Sequence, residues 1–163
     1  MAAPATQAEV PMDAETVIRG VYADFARGDA EAVLAAFDPR IEFHLAEHHL
    51  YWPGPEGWTG PVAVAENFFA RIEPDWRSFT VHPRVWHRAG ETVVVQGRYT
   101  GVNRATGRPL DMQFCHVWQV RDGRVERFQQ YTDTAHLRDV ATGASCGPLP
   151  GRLRDDRSGD RRV

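Results

Sequence analysis

The residues from Pro109 to Asp133 constrain the fold most, because they read as two antiparallel strands joined by a tight turn. The pair Asp122-Gly123 predicts a two-residue type I′ turn, since Gly and, less readily, Asp accept the positive φ angles that this turn needs. Before the turn, alternate residues are mostly apolar: Met112, Phe114, His116, Trp118 and Val120. Successive strand side chains point to opposite faces, so these five share one face. That face is apolar with a single imidazole in its middle.

Three helices are predicted in the first half of the chain. Asp13 is a good N-cap for the first, which Gly28 ends. Asp29 can cap a short second helix, which Pro39 stops. A third helix is predicted from Pro61 to Pro74, because Pro suits the first helical position.

Strands occupy most of the remaining sequence. A short strand is predicted through Ile41, Phe43 and Leu45, followed by a loop at 46–60 rich in Pro, Gly and aromatic residues. Four more strands are predicted at about 77–87, 92–102, 110–121 and 124–133. The order predicts an α+β fold, in which a curved antiparallel sheet forms a cone-shaped barrel closed by three N-terminal helices.

Length and composition predict one domain. The 163 residues are 42% hydrophobic and 25% charged, with a formal charge of −3 that gives no general attraction to nucleic acid or anionic membranes. We expect a flexible N-terminus at 1–12, the domain at 13–137 and a disordered tail at 138–163. Two distant cysteines, Cys115 and Cys146, form no disulfide framework, which favours a reducing cytoplasm.

Several motifs resemble the nuclear transport factor 2-like superfamily, specifically its SnoaL-like and ketosteroid isomerase-related branch. They are FARGD at Phe25–Asp29, Gly60-Pro61, TGRP at Thr106–Pro109, and HVWQVRDGRV running into QQYTDT at Gln129–Thr134. The resemblance covers residues 13–137 and implies the cone-shaped fold and a homodimer. The superfamily includes isomerases, polyketide cyclases, epoxide hydrolases, dehydratases and binding modules without activity, so the fold alone fixes no reaction.

The ketosteroid isomerase template is disfavoured by the residues at its catalytic positions. The oxyanion tyrosine falls at Val21, with Tyr22 one step away. The oxyanion aspartate falls at His116, and the proton-moving aspartate at about Phe43.

The two other catalytic templates differ in their fit. In the Asp-Arg-Asp set of limonene-type epoxide hydrolases, the arginine and the first aspartate fall at Gly97 and Tyr99, and the second aspartate falls at Gln130, which disfavours that activity. SnoaL-type cyclases use a histidine, which His116 matches, and an aspartate, which Gln130 replaces. This template fits best, without its main acid–base.

The predicted catalytic residues are His116, Tyr99 and Gln130. Apolar burial should keep His116 neutral near physiological pH, so that it can pass protons in either direction. Tyr99 faces the same side from the neighbouring strand and can donate to an oxyanion. Gln130 can orient a carbonyl or a water. Purely structural roles are the alternative for all three.

The remaining predicted contacts of a ligand surround that face. The segment His44-Leu-Ala-Glu47-His48 matches a zinc-peptidase pattern that needs a helix, and a strand is predicted here, so no metal is expected and these residues are placed at the pocket mouth. Trp52 and Trp58 are predicted to form a lid. The other predicted contacts are Val21, Phe25, Phe43, Phe69, Met112, Phe114, Trp118 and Phe128.

These features predict an enzyme that needs no cofactor and acts by isomerisation, cyclisation or lyase chemistry. Its substrate would be a small, largely apolar, polyketide- or steroid-like molecule. The alternative is a non-catalytic module that binds a small ligand or a partner. A homodimer is predicted through the uncharged outer face of the last two strands, formed by Gln113, Cys115, Val117, Gln119, Gln129 and Tyr131.

Overall fold

The computed structural model describes residues 13–144. In chain order its elements are α1 Ala14–Ala26, α2 Ala30–Ala35, β1 Phe37–His44, β2 Trp58–Thr59, α3 Pro61–Val64, a π-helical segment Ala65–Phe69, α4 Ala70–Asp75, β3 Trp76–Ala89, β4 Thr92–Asn103, β5 Pro109–Arg121, β6 Arg124–Thr132 and α5 Thr134–Thr142.

A six-stranded sheet in the order β2-β1-β6-β5-β4-β3 carries the helices. The α+β class predicted from the sequence is therefore confirmed. The predicted all-antiparallel sheet is wrong at one ladder, because β1 runs parallel to β6. Within the described residues β2 and β3 are the two edges of this sheet, so it is open and a closed cone is not confirmed.

The hairpin of β5 and β6 has the predicted turn and the predicted alternation of side chains between two faces. Asp122 and Gly123 have φ angles of 50° and 74°, as a type I′ turn requires. The alternate β5 residues from Met112 to Val120 are all buried, whereas the outer face keeps exposed or half-buried side chains. The hairpin therefore places His116 inside the fold, opposite Gln130 on β6.

The first two helices begin at the predicted caps. Asp13 accepts a hydrogen bond from the Thr16 amide and Asp29 from the Ala32 amide. The second helix ends before the predicted stop, because β1 already begins at Phe37. Pro39 lies inside β1, where the register with β6 is irregular, as expected for a residue that cannot donate to a ladder.

The third predicted helix is divided into three parts. A π-helical segment separates α3 from α4, and α4 runs through Pro74 to end at Asp75. π-Helical turns inside helices are frequent at functional sites. This one carries Phe68 and Phe69.

A C-terminal helix corrects the predicted domain boundary. α5 begins at the N-cap Asp133 and ends at Gly143, whose φ is 73°, so residues 138–144 belong to the fold and not to a tail. Leu137 and Val140 on the inner side of this helix are buried. The predictions for residues 1–12 and 145–163 lie outside the described residues. None of the described helices is long and apolar enough to span a membrane.

Candidate functional site

A cavity between the helices and the inner face of the sheet is the candidate site. Its volume is about 60 Å³. The lining is almost entirely aromatic or aliphatic: Val21, Tyr22, Phe25, Val33, Phe37, Phe43, Phe68, Phe69, Phe79, Val81, Tyr99, His116, Trp118, Phe128 and Gln130. We call this space the main cavity. Phe25, Phe68, Phe69, Phe79 and Val81 are half-buried, so they mark the side on which it approaches the surface.

His116 is held between two tyrosine hydroxyls. Its Nδ1 lies 2.6 Å from the Tyr22 hydroxyl on α1. Its Nε2 is hydrogen-bonded to the Tyr99 hydroxyl on β4. The imidazole also stacks on Phe114, with ring centroids 4.1 Å apart. Both nitrogens are thus engaged, and the ring position is fixed by packing.

Each tyrosine oxygen also accepts a hydrogen bond from a fixed donor. Trp118 Nε1 donates to Tyr22 over 3.2 Å, and an indole N–H can only donate. The Gln130 amide nitrogen donates to Tyr99 over 2.9 Å. We call the five residues joined in this way the His116 network: His116, Tyr22, Tyr99, Trp118 and Gln130. Its two halves are alike, with one imidazole nitrogen, one phenol and one permanent donor in each.

The protons of the His116 network exceed the hydrogen bonds available to them. Tyr22, His116 and Tyr99 each carry one proton when neutral, but only two hydrogen bonds join them. With the imidazole proton on Nε2, the Tyr99 hydroxyl proton is left over. With it on Nδ1, the Tyr22 proton is left over. That hydroxyl has no acceptor among the described residues, so a ligand oxygen in the main cavity could bind it.

Burial keeps His116, Tyr22 and Tyr99 neutral. It lowers the pKa of His116 to about 3 and raises the pKa values of Tyr22 and Tyr99 above the usual value for a phenol. The cause in each case is the cost of placing a charge in an apolar site. A charge on any one of these three residues would therefore be costly in this site.

The sequence-predicted residues fall into two groups. Those that line the main cavity are His116, Tyr99, Gln130, Val21, Phe25, Phe43, Phe69, Trp118 and Phe128. Those that do not are His44, Glu47, Trp52, Trp58, Met112 and Phe114. Among the latter, Phe114 supports His116 by stacking, and Met112 lines a smaller cavity beyond Tyr99.

The predicted mouth and lid lie elsewhere. His44 alternates with buried Phe43 on β1, so it points to the opposite face of the sheet. Glu47 is exposed. Trp58 packs on Phe43 with ring centroids 6.2 Å apart, as part of β2. Trp52 contacts His48 instead of the cavity. Within residues 13–144, no group of three or more His, Cys, Asp or Glu side chains is arranged to hold a metal.

Tyr22 is the important residue that sequence reasoning did not select. It lies with Val17, Ile18, Val21 and Phe25 on one apolar face of α1 at helical spacing, and that spacing was the available signal. The resemblance instead placed the catalytic position at Val21, one residue and about 100° away on the helix. Phe68 and Phe79 were also missed, and they close the main cavity where the loop at 46–60 was expected to.

The sequence matches a known domain family over most of the described residues. A profile of the SnoaL-like domain matches residues 18–128. A comparison with curated proteins found no match.

Solved structures of similar fold come from several bacteria. An NTF2-like protein from Burkholderia thailandensis is 28% identical, with a TM-score of 0.73 over 78% of this chain and 95% of that one. A candidate SnoaL-like polyketide cyclase from Jannaschia is 16% identical, with a TM-score of 0.70 over 86% and 100%. IdmH from Streptomyces antibioticus, a candidate polyketide cyclase, is 20% identical, with a TM-score of 0.67 over 81% and 99%. The last two share the fold only.

Proposed function

Because this chain belongs to the SnoaL-like domain family, we propose that it is a cofactor-independent enzyme that enolises a carbonyl compound. The substrate would be small and largely apolar, of polyketide- or steroid-like character, as the aromatic lining favours. Enolisation is the step common to isomerases and aldol cyclases. The observation that carries the proposal is the surplus hydroxyl proton of the His116 network.

The proposed step moves four protons in one direction through the network. The Tyr99 hydroxyl proton goes to the substrate carbonyl oxygen, and the Nε2 proton of His116 replaces it on Tyr99. The Tyr22 hydroxyl proton goes to Nδ1, and Tyr22 takes the proton from the substrate α-carbon. The ketone becomes an enol, and the imidazole proton has moved from Nε2 to Nδ1. No group gains a net charge.

An intramolecular aldol closure uses the same groups. The α-carbon bonds to a second carbonyl carbon, and the α-hydrogen leaves to Tyr22. Tyr99 delivers a proton to the oxygen of that second carbonyl, which becomes the new hydroxyl. Atoms and charge balance without an oxidant or reductant. The candidate polyketide cyclases among the fold neighbours support this class of reaction for the same fold.

The raised tyrosine pKa values and the lowered histidine pKa favour this neutral route. The described lining of the main cavity contains no charged side chain to offset an isolated enolate or imidazolium. A carbonyl oxygen that gains a proton as the α-carbon loses one avoids that cost. The two tyrosines therefore act as acid and base, and His116 connects them.

The size of the cavity requires side-chain movement on binding. About 60 Å³ is far below the roughly 300–1,000 Å³ of typical small-molecule sites. Phe68 and Phe69 are half-buried, and no hydrogen bond of their side chains opposes rotation. Rotation of these rings on the π-helical segment would enlarge the space without breaking the His116 network.

Deuterium exchange tests the reaction with a simple probe. The bicyclic ketone 1-tetralone exchanges its C2 hydrogens in D₂O through its enol, and mass spectrometry follows the exchange. We expect the protein to accelerate exchange, and Tyr22→Phe or Tyr99→Phe to slow it by about 10²-fold or more, the scale of general acid–base catalysis. The exposed Tyr131 supplies the matched control, Tyr131→Phe, which should exchange at the wild-type rate.

Binding separates this proposal from its alternative. Tetralin has the shape of 1-tetralone without the carbonyl. The difference in affinity between the two compounds therefore measures how much the surplus hydroxyl contributes to binding. The main cavity has no Asp or Glu in its described lining, and this favours a second candidate function, a non-catalytic module that binds a small ligand. Preferential binding of 1-tetralone without accelerated exchange would favour the module. If 1-tetralone bound no more tightly than tetralin, both the catalytic role and the ligand-binding role of the His116 network would be contradicted.

A further inference from the structure

A second histidine borders a smaller cavity on the far side of Tyr99. This smaller cavity is about 20 Å³ and lies between His49 and the wall formed by Tyr99 and Gln130. Phe68, Phe79, Tyr99 and Gln130 line both cavities, so the two spaces share a wall. Phe68 and Phe79 are its half-buried members. A ligand too long for the main cavity would extend past these rings toward His49.

The protonation of His49 is fixed by its neighbours. The Tyr51 amide donates to Nδ1 over 3.2 Å, which makes Nδ1 an acceptor. Burial lowers the pKa of His49 to about 4, so the ring is neutral at physiological pH. The single proton therefore resides on Nε2. His49 is 9% exposed, and its Nε2 forms no hydrogen bond with residues 13–144. Nε2 is not among the fully buried polar atoms that lack a partner, so it is open to the smaller cavity or to solvent.

The segment around His49 is anchored at both ends. The Ala46 amide lies 3.4 Å from the side-chain oxygen of Gln130, which also belongs to the His116 network. The Tyr51 hydroxyl donates to Asp75 over 2.6 Å and accepts from Trp76 over 3.2 Å. These contacts anchor the chain on both sides of His49, and the Tyr51 amide is hydrogen-bonded to the His49 ring itself. An ordered, unpaired donor beside a cavity suits recognition of an oxygen acceptor.

We infer that His49 is a specificity-determining residue that donates Nε2–H to a ligand oxygen at the end remote from His116. The ligand class is thereby narrowed to apolar ring compounds with oxygen functions at two ends. One oxygen binds the surplus hydroxyl of the His116 network, and the other binds His49. This inference rests on the proposed function, which makes the main cavity the ligand site.

The test compares 1-tetralone with its 5-, 6- and 7-hydroxy derivatives, measured by ligand-observed NMR or calorimetry. We expect at least one hydroxyl isomer to bind the wild-type protein about 2- to 10-fold more tightly than 1-tetralone, the range for one net hydrogen bond. In His49→Asn the side-chain oxygen can still accept from the Tyr51 amide, but no group reaches the Nε2 position. This variant should fold and lose the gain.

His49→Gln is the complementary variant. Its amide nitrogen reaches the Nε2 position, so part of the gain should return. An unchanged gain in His49→Asn, or no gain with any isomer in the wild-type protein, would overturn the inference. The preference for 1-tetralone over tetralin is read in the same experiment. One outcome separates the two ideas: 1-tetralone binds no more tightly than tetralin, yet a hydroxy derivative binds more tightly only when His49 is present. In that case the proposed function fails and the contact at His49 stands.

Discussion

Acidification from pH 7.5 to pH 5 is expected to destabilise the folded chain by about 4 kcal/mol through His116 and His49. Burial lowers their pKa values to about 3 and about 4, below the ordinary value of 6.5. The unfolded chain therefore takes up a proton at each site as the pH falls through about 6.5. The folded chain takes up neither until the pH approaches the lowered values.

The sign and size follow from this difference in bound protons. Stability contributed by the two neutral imidazoles is complete well above pH 6.5 and is lost as the pH falls toward 3–4. Each site contributes about 2 kcal/mol of the loss between pH 7.5 and pH 5. Because whole domains are stable by about 5–15 kcal/mol, this effect is a large fraction of the total.

Urea unfolding followed by tryptophan fluorescence at several pH values measures the effect. His116→Asn and His49→Asn should each reduce the fall in unfolding free energy by about 2 kcal/mol, whatever their stability at pH 7.5. The exposed His87 supplies the control His87→Asn, which should follow the wild-type protein. A fall of wild-type size in His116→Asn would refute the assignment of a buried neutral imidazole at that position.

Three further outcomes are expected. Tyr99→Phe should destabilise the fold by about 2–4 kcal/mol in urea titrations, because it leaves a nitrogen of the imidazole and the Gln130 amide unpaired, whereas Tyr131→Phe should stay within about 0.5 kcal/mol. Gly97→Ala should cost about 1–3 kcal/mol in thermal unfolding, since its Cβ would lie 2.5 Å from the Phe114 ring and would overlap the backbone oxygen of His82 on β3. An unchanged melting temperature would contradict the close packing. The chain should sediment as a homodimer through the outer face, and a monomer at tens of micromolar would contradict that proposal.

Local patterns predicted the parts of the fold that short-range physics determines. The Asp122-Gly123 turn and the caps at Asp13 and Asp29 depend only on adjacent residues, and all three are present. Strand alternation placed His116 on the buried face of β5 for the same reason. The missed helix α5 also had a local signal, since Asp133 caps it and Leu137 and Val140 have helical spacing.

The candidate site depended on contacts that sequence patterns do not encode. Tyr22 and His116 are 94 positions apart, and their hydrogen bond depends on how α1 rotates against the sheet. The parallel ladder of β1 and β6 is likewise non-local. His49 was missed because its neighbours His44 and His48 fitted a known metal-site spacing. Its burial depends on distant contacts of the segment 46–51, since Ala46 contacts Gln130 and Tyr51 contacts Asp75.

The parallel ladder between β1 and β6 joins parts of the chain that are far apart in the sequence. Strands β3 to β6 follow one another as hairpins, and closing such short loops costs little chain entropy. β1 must instead find a partner far along the chain; Ala35, just before β1, accepts from Arg124, 89 positions away. Tyr99, His116, Trp118 and Gln130 all belong to the hairpins, so four members of the His116 network can assemble early. Tyr22 joins them only when α1 docks on the sheet, so the proton path is complete only in a chain whose first helix is in place.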